Sequence, residues 1–207
     1  MMAAVSTLLE LVERRGQGPS PGFSREHALL VFLTIGASGE IGRQALARSL
    51  TLGEGSMRTI LRKFTHAGYV ETDTLGCHLT PSGRRLYASI LKSIPKLAAI
   101  KDSQVKLGES QVAIRVRPMA NVAANGLVQR DSAIKAGATG AATYLIKEGK
   151  FAIPGSSLDC EKDFPGSIWR VLRSELSPRD GDVVILCGAA DETTAKLGAL
   201  SAAFTIL

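Results

Sequence analysis

The sequence predicts an α+β protein in two parts, and three observations carry that expectation. Charge is unevenly spread: residues 1–101 hold 13 Lys/Arg against 7 Asp/Glu, while residues 102–207 hold 12 of each. The whole formal excess of +6 therefore sits in the first half, as for a polyanion-binding module joined to a neutral one. Apolar residues recur at helical spacing through the first half, whereas the second alternates strand-like runs with helical ones. At 207 residues the chain suits one large or two small domains, each able to bury a core.

The first element reads as a helix near 4–15, with Leu8, Leu9, Leu11 and Val12 on one stripe, followed by a Gly/Pro break at "GQGPSPGF". Its acidic residues argue against a signal peptide, and no apolar run is long enough to span a bilayer. Ser24 is placed to cap "REHALLVFLTIG". "GEIGRQALARSL" follows as a short helix with Ile41, Ala45, Leu46 and Leu50 inward. Next comes "GEGSMRTILRKFTHAGYV", with Ser56 as its expected cap. There Met57, Ile60, Leu61 and Phe64 form an apolar stripe, and Arg58, Thr59, Arg62, Lys63 and His66 lie off it. Gly68 ends this helix. "YVETDTLGCHLT" alternates as two short strands around Leu75-Gly76, and Pro81 begins a helix carrying Leu86, Ile90 and Leu91 on one side.

Helix, helix, turn, helix, hairpin, helix is the order of a winged helix-turn-helix. "AGYV" and "HLTPSGRRL" resemble the corresponding motifs of winged-helix regulators at matching spacing, over roughly residues 24–94. That resemblance implies binding to double-stranded DNA, with the Met57–Phe64 stripe packed inward and Arg58, Thr59, Arg62 and Lys63 entering a major groove. Arg and Lys donate to guanine edges or phosphates, and Thr touches a thymine methyl or a phosphate. Ser56 joins this set, with Arg84 and Arg85 as phosphate contacts at the next helix start. The wing tip carries Glu71 and Asp73, so only weak backbone contact is expected there.

Residues 1–94 thus form the expected DNA-binding domain, 95–110 a linker, and 111–207 an α/β domain. Pro95 ends or kinks the preceding helix. In the second half "QVAIRVRPM" reads as a strand, "LVQRDSAIKAG" as a helix and "AATYLIKEGKFAIPG" as a hairpin. "DFPGSIWRVLRSEL" is a helix, "DGDVVILC" a buried strand, and "ADETTAKLGALSAAFTIL" a final helix capped by Asp191. The order β-α-β-β-α-β-α implies an α/β sandwich. Over nearly its full length the chain is similar to a small family of archaeal proteins with a winged helix and a C-terminal α/β domain of unassigned function. "LGEGSMRTILRKFTHAGYV" and "QRDSAIKAGATGAATYLIKEGKFAIP" carry that likeness.

Chemistry is sparse in the second half. All three histidines (His27, His66, His78) lie in the first, which leaves no Ser-His or Cys-His pair. Cys77, Cys160 and Cys187 are widely spaced and indicate neither disulfides nor a metal knuckle, so no metal or cofactor is expected. "GATGAAT" follows a helix and precedes a strand, the reverse of a phosphate loop. Asp191 and Glu192 oppose an anion at the last helix start. Two readings remain open for Arg115, Arg117, Arg130 and Lys135. They line a pocket for an anionic effector, or they are solvated surface residues with Asp131–Lys135 as an i,i+4 pair.

The function expected is a cytoplasmic, homodimeric transcriptional regulator, not an enzyme, whose C-terminal domain senses a small molecule or assembles the protein. Leu8, Leu9 and Val12, or Leu86, Ile90, Leu91 and Ile94, are candidate dimer seams. The alternatives are an autoregulated enzyme fused to a winged helix and a winged-helix protein–protein module.

Overall fold

The computed structural model describes residues 2–13, 22–101, 104–117 and 125–207. The chain divides into two compact units, Met1–Lys92 and Ser93–Leu207. No helix among the described residues is long and apolar enough to cross a membrane.

The first unit runs α1 (Met2–Val12), α2 (Arg25–Ser38), β1 (Glu40–Ile41), α3 (Arg43–Ser49), α4 (Glu54–His66), β2 (Val70–Thr72), β3 (Cys77–Leu79) and α5 (Pro81–Ser93). The three strands form one antiparallel sheet in the order β1-β3-β2. Its core joins Leu8 of α1, Leu29 and Phe32 of α2, Leu46 of α3 and the whole Met57/Ile60/Leu61/Phe64 stripe of α4, all buried. Phe32 and Phe64 meet edge to face, with centroids 5.5 Å apart. At the start of α2, Ser24 N–H donates to His27 Nδ1 at 3.1 Å, the reciprocal half of a capping arrangement.

Four expectations need correction here. Ile41 belongs to a strand: Gly39 (φ +76) ends α2, and the chain then pairs Glu40 and Ile41 with His78 and Cys77. Ala45 is exposed, while Ala47 takes the inward position beside Leu46 and Leu50. Helix α4 begins at Glu54 with Gly53 as N-cap, so Ser56 lies inside its first turn. Helix α1 ends at Val12, and Arg14 and Arg15 lie outside the described residues.

The second unit runs β4 (Lys96–Ala99), β5 (Ser110–Val116), α6 (Leu127–Lys135), β6 (Gly140–Lys147), β7 (Lys150–Ala152), α7 (Cys160–Asp163), α8 (Ser167–Leu176), β8 (Val183–Ala189) and α9 (Glu192–Ala203). All neighbours in the five-stranded sheet β4-β5-β8-β6-β7 are antiparallel. Strands β5 and β6 both flank β8, so α6 links two parallel strands with the late strand β8 inserted between them. Residues 95–110, read as a linker, contain β4, the edge strand beside β5. The short helix α7 is also additional to the expected order.

Helices cover both faces of this sheet. On one face Trp169 and Leu172 of α8 pack with Ala113, Tyr144, Val184, Leu186 and Phe151. On the other lie α6 and α9: a Cβ on Gly198 of α9 would press against Cys187 Sγ of β8 and Ala138 just beyond α6. With both faces covered, β8 is buried at every position, which explains its unbroken apolar run.

Candidate nucleic-acid interface

The C-terminal end of helix α4 is anchored by hydrogen bonds completed within a few residues of it. At its C-terminus Tyr69 N–H donates to Phe64 O and Gly68 N–H to Thr65 O, each at 3.0 Å. With Gly68 at φ +72 this is a Schellman motif, the physical content of "AGYV". "LTPSG" is a second lock. Thr80 donates its hydroxyl to Gly68 O at 2.7 Å and accepts from Gly83 N–H at 2.9 Å, so it caps α5 while tying it to the end of α4. Position 83 must be glycine, since a Cβ there would run into the Tyr69 carbonyl.

The outward face of α4 sorts its polar residues into two groups. Arg58 and Arg62 are exposed, one turn apart, and neither makes an ion pair among the described residues. The other expected contacts are engaged at home. Lys63 Nζ donates to Leu11 O at 2.8 Å and so fastens α4 to α1. Ser56 Oγ donates to Gly22 O at 3.2 Å, and Thr59 Oγ1 to Gly55 O at 2.9 Å. At the start of α5, Arg84 Nη1 donates to Leu79 O and Arg85 Nη2 to Ser82 Oγ, although both residues remain exposed.

Sequence reasoning missed the basic side of α3. Arg43, Gln44 and Arg48 are exposed and, with the hairpin residues Thr72–Gly76, line an open hollow of about 500 Å³. Their positions off the Leu46/Ala47/Leu50 stripe were the signal that could have found them. The hairpin itself is acidic. Asp73 Oδ1 accepts from Leu75 N–H (2.8 Å) and Gly76 N–H (3.2 Å) to close the turn, leaving Leu75 exposed at the tip. Behind it His78 stands 3.5 Å from Glu71 and 3.8 Å from Asp73, with Glu40 as its partner on β1.

In the second unit the four cationic residues are not brought together. Arg115 is only 6% exposed. Its Nε donates to Asp182 Oδ2 at 2.6 Å, and its Nη1 to the carbonyls of Leu176 and Ser177 at the end of α8. It is thus a buried ion pair closing the C-terminus of a helix, where a cation is favoured. Arg117 stands 3.6 Å from the same Asp182. Arg115 pairs across the sheet with Val184, on the α8 face. Arg130 and Lys135 ride on α6, against the opposite face. The sheet stands between the two pairs, so among the described residues the four side chains are not gathered around one hollow. Asp131 is engaged by its neighbour Arg130 at 3.1 Å rather than by Lys135.

A different hollow, of about 880 Å³, opens beside Lys101, Lys106, Gly108, Gln111, Thr139 and Glu192. Its charges are mixed. Asp191 already occupies the N-terminus of α9, accepting from Thr194 N–H and Thr194 Oγ1. Those bonds hold its carboxyl below the usual carboxylate range. The three cysteines are free and buried, and burial pushes the Cys187 thiol up to about 12, where the thiolate is scarce at neutral pH. Among the described residues no group of three or more His, Cys, Asp or Glu is arranged to hold a metal ion.

With this geometry in hand, the likenesses to other proteins are informative mainly about fold. A family described as "Domain of unknown function (DUF4443)" matches residues 107–206, within the second unit. The structure of a hypothetical protein, PH0730 from Pyrococcus horikoshii OT3, is similar at 26% identity and a TM-score of 0.73, over 89% of this chain and 92% of that one. The MarR family protein Rv2887 of Mycobacterium tuberculosis matches at 25% identity, over 42% of this chain and 59% of that one. Its TM-score of 0.31 is too low to bear an argument. No curated protein matches.

Proposed function

We propose that the chain is a DNA-binding transcriptional regulator, a cytoplasmic homodimer whose first unit is a winged helix-turn-helix. The observation that carries this reading is the pair Arg58 and Arg62, exposed and without ion-pair partners among the described residues, on a helix whose apolar stripe is buried. A merely solvated face would serve equally well with its charges paired. Arg43 and Arg48 are likewise exposed on α3, and the two helices of such a motif meet a major groove and its flanking phosphates. Arg58 and Arg62 read base edges, Arg43 and Arg48 hold phosphates, and the acidic hairpin adds little. The second unit, with balanced charge and buried thiols, acts as a binding or assembly domain and does no covalent chemistry.

Fluorescence anisotropy on labelled duplex tests this. Affinity should fall steeply with salt, because neutralised phosphates release counterions. On a selected operator, Arg58→Ala and Arg62→Ala should each cost about 1–3 kcal/mol of binding. Unchanged affinity in both variants, or salt-independent binding, overturns the reading.

A further inference from the structure

Residues 104–109 form a strap over one end of the second unit's sheet, and the strap is fastened along its length. Val105 and Leu107 pack against the core on the α8 side, while Lys106 between them is exposed. Gln104 Oε1 accepts from Ser167 N–H at 3.1 Å, at the start of α8, and Gln111 Oε1 accepts from Leu107 N–H at 3.2 Å. The strap also lies directly on β8. A Cβ on Gly108 would meet the backbone of Ala189, and one on Gly188 would meet that of Leu107. Chain held in this way is a support for side chains rather than a free loop.

The strap forms one side of the hollow of about 880 Å³ described above, a size usual for small-molecule sites (about 300–1,000 Å³). Lys106 and Glu109 come from the strap, and Lys101 from the chain just beyond β4. All three are exposed and make no ion pair among the described residues. Glu192, the other carboxylate of the rim, is already taken by Lys196 at 2.6 Å. Gln111 has committed its oxygen to Leu107, so it offers the hollow its amide N–H groups. Ile100 and Leu107 add apolar wall. Two uncommitted ammonium groups and one uncommitted carboxylate thus border the same space. Neither a plain anion nor a plain cation completes that set.

We infer that this hollow binds a small acidic α-amino acid, a molecule with two carboxylates and one ammonium. The complement is group for group. Lys101 and Lys106 each take a carboxylate through charge-assisted hydrogen bonds, and Glu109 takes the ammonium. Gln111 donates to a remaining carboxylate oxygen, and Ile100 and Leu107 border the methylenes. The inference deepens the reading of the second unit as a binding domain and rests on it.

Isothermal titration calorimetry on the full chain, with L-glutamate as the probe, tests the site. The unaltered protein should bind L-glutamate. Glutarate, which keeps both carboxylates and lacks the ammonium, should bind about tenfold more weakly or worse. Lys101→Ala and Lys106→Ala should each weaken L-glutamate by a similar factor. Glu109→Gln should bring L-glutamate down to the level of glutarate and leave glutarate itself no weaker, a split that damage to the fold cannot imitate. An unaltered protein that does not bind L-glutamate overturns the proposal. So does glutarate binding as tightly as L-glutamate, or a site indifferent to the three substitutions. Inorganic phosphate separates this proposal from the reading beneath it. Phosphate binding that Lys101→Ala and Lys106→Ala abolish, with no binding of L-glutamate, overturns the proposal and keeps the second unit a binding domain. Binding of neither probe overturns the proposal and leaves assembly as the role of that unit.

Discussion

Helices α4 and α6 place the same kinds of side chain on opposite sides. In α4 the apolar stripe is buried to the last residue and the cations face out. In α6 glutamine, serine and alanine face in, while leucine, valine and isoleucine face out. Burying apolar surface is the main force that docks a helix, so α4 is held by its core and its outer face is free to vary with function. Helix α6 is held by hydrogen bonds to Ser201 of α9 and Thr205 just after it and by close approach through Ala133, which leaves its apolar residues in water. One helix is displayed through its charges, the other through its grease. The cations divide in a similar way. Arg62 is exposed with no ion pair among the described residues, whereas Arg115 is spent on Asp182 and on the carbonyls of Leu176 and Ser177 at the end of α8.

The largest expected effects break each contrast on its buried side. Phe64→Ala should destabilise the first unit by about 3–5 kcal/mol, since it empties a fully buried ring site against Phe32. Ile134→Ala on α6 should stay within about 0.5 kcal/mol, because that side chain is already in water in the single chain. Urea titration below the dimerisation range, followed by circular dichroism, compares them. Equal losses would mean that α6 is docked through the face assigned here to the outside.

Asp182→Ala should cost about 3–5 kcal/mol by leaving the Arg115 guanidinium buried without its counter-charge. Trp169, the sole tryptophan, reports that unfolding through its fluorescence. Replacing both Arg115 and Asp182 by apolar residues should recover most of the loss. A neutral outcome for Asp182→Ala alone would place Arg115 in water and revive the idea of a binding residue.

The smallest effect concerns the cap of α9. Asp191→Ala should cost about 1 kcal/mol, as for other N-caps. Its hydrogen bonds to Thr194 lower the folded-state pKa below the ordinary value of 3.8. The stability it contributes is therefore fully present above that ordinary value and is lost as pH falls through the lower, folded one. Thermal melts of the variant and the unaltered protein should converge in acid. A gap that persists there would show that the cap does not act through its charge.

Local chemistry made α4 legible. Its period, its Schellman ending in "AGYV" and the cap in "LTPSG" are all completed within a few residues, so the sequence determined that helix, its buried face and the hairpin after it. It likewise determined the alternation of β5, the apolar run of β8 and the Asp191 cap. What only the tertiary structure decided depends on partners far along the chain. "KLAA" is too short and too plain to announce a strand, and β4 exists because β5 offers it an edge. Arg115 alternates like a surface residue until Asp182, 67 residues later, arrives beside it. In α6 apolar residues lie on both sides of the helix, so periodicity could not say which faced in. That choice was made by the hydroxyls of Ser201 on α9 and Thr205 just after it, which a polar face can satisfy and an apolar one cannot.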